Sequence, residues 1–232
     1  MHEKIHFIGI GGIGMSSLAR YYLAKGARLS GSDLTESDVV RELASEGVIM
    51  RIGHHADNLL RDVARVIYSA AVKDDNPELK EARRRGLPCL TYAAALGDLT
   101  KQYITIGVSG AHGKSTTTAL LSLMLAHAGL DPTVIIGTRL AEFGGKNIRI
   151  GKSRYLVIEA DEWNKSFFYY APQVAVITNV DAEHLDTYKN LAGVIKAFNK
   201  YVVGLPKEAT IIVNTQDKNT MAAVKGCKRT VI

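Results

Sequence analysis

The chain has 232 residues, 47% hydrophobic and 22% charged, with a net charge of +6 and a mean hydropathy of +0.02. Such a composition buries a core and excludes wholesale disorder, and at about 150 residues per domain it corresponds to about 1.5 domains. No apolar run approaches the roughly 18 residues of a spanning helix, and Met1-His2-Glu3-Lys4 does not open a secretory signal. A cytoplasmic protein with no membrane insertion is expected. Cys89 and Cys227 are too few and too far apart for a disulfide framework or a zinc cluster.

Short apolar runs alternate with amphipathic stretches, the pattern of an α/β protein with parallel sheets. In chain order the strands are expected at 4–10, 28–32, 48–52 and 64–69, then at 103–108, 133–136, 155–159, 174–178, 210–213 and 229–232. Helices are expected at 15–25, 37–46, 77–86, 114–128, 191–203 and 218–225. A new strand and a second glycine-rich loop start just after residues 98–102, which places a domain boundary there. The fold expected is a Rossmann-like parallel-sheet domain over residues 1–99, followed by a P-loop ATPase α/β domain over residues 100–232. Arg229-Thr230-Val231-Ile232 reads as the first half of a buried strand, so the second domain is expected to be incomplete and the chain a fragment.

The one dense basic run, Arg83-Arg84-Arg85, closes a predicted helix, where the helix dipole favours cations. No aromatic residues interleave with it as a single-strand binder would require. No nucleic-acid partner is expected.

Two glycine-rich loops carry the chemistry. Gly9-Ile10-Gly11-Gly12-Ile13-Gly14 fits G-x-G-x-x-G between a strand and a helix, where backbone N–H groups approach a diphosphate. Asp33 follows 19 residues after Gly14, at the end of the second strand, where such folds place an acid on a ribose hydroxyl. The second loop is Ser109-Gly110-Ala111-His112-Gly113-Lys114-Ser115-Thr116-Thr117. Its Gly113-Lys114-Ser115 is the core of a phosphate-binding P-loop, although Val108 stands where the strict pattern has glycine. Lys114 neutralises phosphate charge there and the Ser115 hydroxyl suits Mg²⁺. Glu159-Ala160-Asp161-Glu162 brings three carboxylates to the end of a later strand, and Mg²⁺ favours such hard oxygen donors. The next strand delivers Asn179 and His184 to the same edge. His54 and His55 carry no comparable signal, nor do His2, His6 and His127.

Together these loops, the acidic cluster, Gly31-Ser32-Asp33, Tyr68-Ser69-Ala70-Ala71 with Asn76-Pro77, and Thr178-Asn179 leading to His184-Leu185-Asp186-Thr187-Tyr188 resemble the Mur ligases over nearly the whole chain. The resemblance implies an ATP-dependent amide ligase that joins L-alanine to UDP-N-acetylmuramate through an acyl-phosphate. It implies that Gly11, Gly12, Ile13 and Gly14 face the diphosphate, with Asp33 near the ribose and Ser69 near the substrate. Gly110, Ala111, His112, Gly113, Lys114, Ser115, Thr116 and Asn179 would surround ATP. Lys114 and His184 would be catalytic, with Ser115 and Glu159 holding one Mg²⁺ and His184 a second. Some family members carry a carbamylated lysine, for which Lys196 is the nearest candidate, and Trp163-Asn164 depart from the family pattern. Reattachment of a recycled peptide to the same sugar nucleotide is the rival within the family. A nicotinamide-dependent oxidoreductase, read from Gly9–Gly14 and Asp33 alone, is the rival outside it.

Overall fold

The computed structural model describes residues 3–232, so His2 lies outside the described residues. The chain divides into two compact units, one reaching to Ala95 and the other running from Leu96 to Ile232.

In the first unit the elements run β1 (Lys4–Ile8), α1 (Ile13–Ala24), β2 (Arg28–Asp33), α2 (Asp38–Ser45), β3 (Ile49–Ile52), β4 (Arg65–Tyr68), α3 (Pro77–Arg84) and β5 (Cys89–Thr91). The strands form one parallel sheet in the order β3-β2-β1-β4-β5. The order reverses at β1, so the loops after β1 and β4 flank the crevice where such sheets bind ligands. Local chemistry starts the helices. Ser37 caps α2 by accepting from the Val40 amide, and Asn76 caps α3 by accepting from Glu78 and Leu79, with Pro77 at the first helical position. Beneath the sheet Ile8, Leu59, Val63, Val66, Leu79 and Ala82 close into an apolar cluster. The three arginines at the end of α3 are held locally. Arg84 and Arg85 bind Glu81, Arg83 binds Asp74, and Arg85 also donates to the carbonyls of Leu59 and Leu60.

A polar cluster is buried within this unit. Glu78, in the first turn of α3, is fully enclosed, as is His6 of β1. The Glu78 carboxylate accepts from His6 Nε2 (2.7 Å), Ser32 Oγ (2.7 Å) and Asn58 Nδ2 (2.9 Å), while His6 Nδ1 meets Ser30 Oγ at 2.8 Å. Burial pushes the Glu78 carboxyl up, but the bonds from His6, Ser32 and Asn58 win and hold it down at about 2.

α4 (Tyr92–Thr100) leads the chain into the second unit. There the order is β6 (Ile104–Ser109), α5 (Lys114–His127), β7 (Thr133–Leu140), β8 (Lys146–Arg149), β9 (Tyr155–Glu159), β10 (Val174–Ile177), α6 (Leu185–Tyr188), α7 (Leu191–Gly204), β11 (Thr210–Val213), α8 (Lys218–Val224) and β12 (Thr230–Val231). The seven strands lie in the order β12-β11-β10-β6-β9-β7-β8. All pairs are parallel except β7–β8. Val134, Ile136 and Val157 pack with Leu121 and Leu125 of α5 on one side. Elsewhere in the unit Phe167 stacks on Tyr201 and meets Phe198 edge-on. Among the described residues no helix is long and apolar enough to cross a membrane.

Several features differ from the sequence expectations, among them the four-residue α6, which was not expected. β5 is only three residues long, too short to show a period of two. α4 is apolar around much of its circumference, so its helical periodicity is weak. β8 was not expected, and β7 extends to Leu140 because it turns through Gly144 and Gly145, both at positive φ, to pair antiparallel with β8. Thr230 and Val231 pair with β11 at the end of the strand order, a shorter strand than the four residues expected.

The Glu78 cluster generates a pH dependence. A carboxyl held below its ordinary 4.5 stabilises the fold above that pH and loses its contribution as pH falls toward about 2. Glu78→Gln has no such titration. The stability gap between wild type and Glu78→Gln should therefore be a few kcal/mol at pH 7 and shrink steadily between pH 4.5 and 2, as urea unfolding at each pH will show.

Candidate functional site

The first unit presents a cleft of about 610 Å³ lined by Gly9, Gly12, Asp33, Leu34, His54, Ser69 and residues 71–77 excluding Asp74. It lies where the strand order reverses. Gly9 sits at φ +75°, and a Cβ there would press on the Ser69 side chain at 3.1 Å, so glycine brings the loops after β1 and β4 together. The Asp33 carboxylate reaches back to the loop and accepts from the Gly11 amide at 2.8 Å. A side chain at Gly11 would meet that carboxylate at 2.9 Å. Gly12 caps α1 without a side chain, leaving the backbone bare at the helix start.

Of the residues expected here, Gly12, Asp33 and Ser69 line the cleft. Gly11 supports Asp33, Ile13 is exposed at the first position of α1, and Gly14 makes room for the Tyr92 ring. Leu34 and His54 are lining residues that sequence reading passed over. The signal for His54 was its place just past the end of β3, the strand-end logic already applied to Asp33.

In the second unit β6 lies between β10 and β9, and the loops following all three meet at the carboxyl edge of the sheet. The segment from Gly110 to Gly113 joins β6 to α5. Gly110 has φ +132°, and a Cβ there would collide with Thr178 Oγ1, while Gly113 turns into the helix at φ +79°. Asn179 fixes the loop from the neighbouring strand. Its Oδ1 accepts from the His112 amide at 2.9 Å and its Nδ2 donates to the His112 carbonyl at 3.0 Å. Its own carbonyl accepts from the Ala111 amide at 3.1 Å. Thr178 adds a hydroxyl bond to the His112 carbonyl at 2.7 Å. Asn179, expected beside a nucleotide, thus clamps the loop backbone.

Lys114, at the start of α5, folds its ammonium back into the loop. It donates to the carbonyls of Gly110 (2.7 Å) and Ala111 (3.2 Å) and pairs with the buried Glu162 at 3.1 Å. His184 Nε2 lies 3.6 Å from the same carboxylate, and the Tyr188 hydroxyl donates to the Glu162 carbonyl. Burial pushes the Glu162 carboxyl upward while Lys114 pulls it down, and burial prevails. Glu162 was read from sequence only as one of three clustered acids. Its role as the counter-charge of Lys114 depends on a long-range approach that no spacing encodes.

The expected metal ligands fall into two sets. Glu159, at the end of β9, accepts from the Gly137 amide at 2.9 Å and from the Ser115 hydroxyl, and burial raises its carboxyl above the ordinary value. His184 instead joins Asp161 and Glu162, with one ligand atom from each within 4.8 Å of the others. The hydroxyl and carboxylate donors of the first set are hard oxygens at the start of a helix, a donor type that fits Mg²⁺. The second set offers two more carboxylates and an imidazole. Asn164, Lys165 and His184 adopt positive φ without being glycine, an unfavourable backbone of the kind that gathers at functional sites. Thr116 and His112 are exposed, the latter facing Asp181 and Glu183 at 3.4 and 3.3 Å. Lys196 is exposed on α7.

Residues 4–104 match the profile of the Mur ligase family, catalytic domain, and residues 108–232 match the Mur ligase middle domain. The UDP-N-acetylmuramate–L-alanine ligase of Aquifex aeolicus is 46% identical over 230 residues, covering 99% of this chain and 50% of that protein. The corresponding enzyme of Caldanaerobacter subterraneus is 40% identical over 231 residues, with 99% and 50% coverage. The chain spans about half the length of these curated relatives. Among solved structures, UDP-N-acetylmuramate–alanine ligase from Thermotoga maritima superposes with a TM-score of 0.86 at 31% identity, covering 100% of this chain and 53% of that one. UDP-N-acetylmuramate:L-alanyl-γ-D-glutamyl-meso-diaminopimelate ligase from Neisseria meningitides gives a TM-score of 0.90 at 27% identity, with 100% and 77% coverage.

Burial penalises the charged form of Glu159 more than the Gly137 and Ser115 hydrogen bonds favour it, so its charge opposes folding. Glu159→Gln should raise the urea midpoint of the ligand-free chain at pH 7, because the raised carboxyl opposes folding when ionised. The same variant should lose Mg²⁺-dependent tightening of nucleotide binding, measured by calorimetry with and without the metal.

Proposed function

This chain belongs to the Mur ligase family, and on that footing we propose that it serves an ATP-dependent amide ligase joining L-alanine to UDP-N-acetylmuramate. The observation that carries the reading is the loop holding Lys114. It is a phosphate cradle with a buried counter-charge, set beside the hard oxygen donors of Ser115 and Glu159. Hydride transfer has no use for such a cradle, which counts against the oxidoreductase alternative. Relatives that are 40–46% identical carry the alanine-adding name, which favours L-alanine over a recycled peptide as the second substrate.

In this reading the first cleft holds the sugar nucleotide, with the loop after β1 at its diphosphate, Asp33 toward the ribose and Ser69 toward the sugar. The second loop holds ATP. A carboxylate oxygen of the muramoyl group attacks the γ-phosphorus and ADP leaves. The amine of L-alanine then displaces phosphate from the acyl-phosphate to form the amide. Both partners in the first step are anions, so the site has to lower their repulsion and align them. Lys114 is placed to do the former by exchanging Glu162 for the β- and γ-phosphates. Ser115 and Glu159 would hold Mg²⁺, with Asp161, Glu162 and His184 as a second donor set, and the bound metal would neutralise further phosphate charge. Asn179 keeps the amides of Ala111 and His112 in a fixed arrangement, so the cradle needs little reorganisation when the nucleotide arrives.

The test separates the two clefts. The chain should bind UDP-N-acetylmuramate and not NAD, and should bind ATP in the presence of Mg²⁺. Lys114→Ala should weaken ATP about 10- to 100-fold, the loss of one strong charge-assisted contact, and leave the UDP sugar unaffected. Calorimetry measures all three ligands. NAD binding without UDP-sugar binding, or ATP affinity indifferent to Lys114, overturns the assignment.

A further inference from the structure

Glu78 has no part in the chemistry above, yet it is enclosed within the unit that carries the first cleft, and it touches one of the cleft's lining residues. His54 lies two residues past the end of β3 and lines the cleft. Its Nδ1 edge is committed. His54 Nδ1 lies 3.1 Å from Ser32 Oγ and 3.2 Å from Glu78 Oε1. Glu78 is an acceptor for every neighbour that reaches it: His6 Nε2, Ser32 Oγ, Asn58 Nδ2 and the His55 amide. Because Ser32 gives its proton to Glu78, the serine oxygen also stands toward His54 as an acceptor. Two acceptors therefore converge on Nδ1, which must carry the hydrogen. In the neutral ring Nε2 is then a bare lone pair.

We infer that Glu78 is a positioning residue for base recognition: it locks His54 in the Nδ1–H form, so that the cleft presents a hydrogen-bond acceptor at Nε2. This rests on reading the cleft as a nucleotide-sugar site. Asp33 ends β2, where sheets of this order seat a ribose, and β3 is the next strand outward, so the base extends toward His54. An acceptor at that point matches the imide N–H of a uracil-type base. It opposes the bare ring nitrogen that a cytosine-type base offers at the same position, and two facing lone pairs repel.

The experiment titrates the chain with UDP and with CDP at pH 7.5 by calorimetry, in the wild type, Glu78→Gln and His54→Leu. A glutamine at 78 can donate as well as accept, which frees His54 to take either tautomer. The wild type should bind UDP about tenfold tighter than CDP or better, and both variants should reduce that ratio to about threefold or less. ¹⁵N NMR of the His54 ring in the wild type gives a readout that a merely structural role would not move: Nδ1 protonated and Nε2 bare. If Glu78→Gln fails to fold by circular dichroism, the NMR signature and His54→Leu decide. A protonated Nε2, or a UDP preference that survives in the folded variants, overturns the inference and leaves the nucleotide-site reading standing. Equal binding of UDP and CDP by the wild type does the same. Failure of the wild type to bind UDP at all overturns the nucleotide-site reading itself.

Discussion

Parallel strand pairing is the constraint on which the rest of this molecule depends. Two parallel neighbours cannot be joined by a tight turn, so they are linked by crossovers, and the loops that leave the carboxyl ends of the strands gather along one edge. In the first unit that edge collects Gly9–Gly12, Asp33, His54 and Ser69 from the ends of four strands. In the second it collects Gly110–Gly113, Gly137, Glu159 and Asn179, again from four strands. Residues up to 69 positions apart in sequence meet there, as Thr178 and Ser109 do.

The two units treat buried carboxylates in opposite ways. Glu78 is surrounded by donors and held as an anion at about 2, so its charge stabilises the first unit. Glu162 is buried and Glu159 half-buried, and burial raises both. Lys114 offsets Glu162 in part, at 3.1 Å. Burial works against the charged form of such carboxylates, and a nearby cation offsets that cost. The first arrangement surrounds its carboxylate with donors, and the second leaves burial the larger effect.

Much of the fold was legible because the strongest signals are local. The strands 155–159 and 210–213 match their expected bounds, and α5 starts at Lys114, where the Gly113-Lys114-Ser115 motif put it. The two strands are short apolar runs, with Leu156, Val157, Ile158 and Ile211 buried as the pattern implies and Ile212 exposed. Elements that escaped were those without a period: the three residues of β5, the apolar α4, and β8, whose Lys146-Asn147-Ile148-Arg149 looks polar until Gly144 and Gly145 fold it onto β7.

The sequence by itself determined the glycine positions, the helix caps and the order of strands and helices. Each of these is a property of a few adjacent residues: a positive φ that glycine tolerates, a side-chain oxygen that meets an amide three positions on, an apolar alternation. Only the tertiary structure decided which charges meet. It set Glu162 rather than Glu159 against Lys114, placed His184 with Asp161 and Glu162, made Asn179 a clamp on the P-loop backbone, and drew His6, Ser32, His54 and Asn58 around Glu78. The physical reason is distance along the chain. An electrostatic contact acts over a few ångströms in space, and its partners are fixed by sheet register and loop path, which no window of neighbouring residues contains.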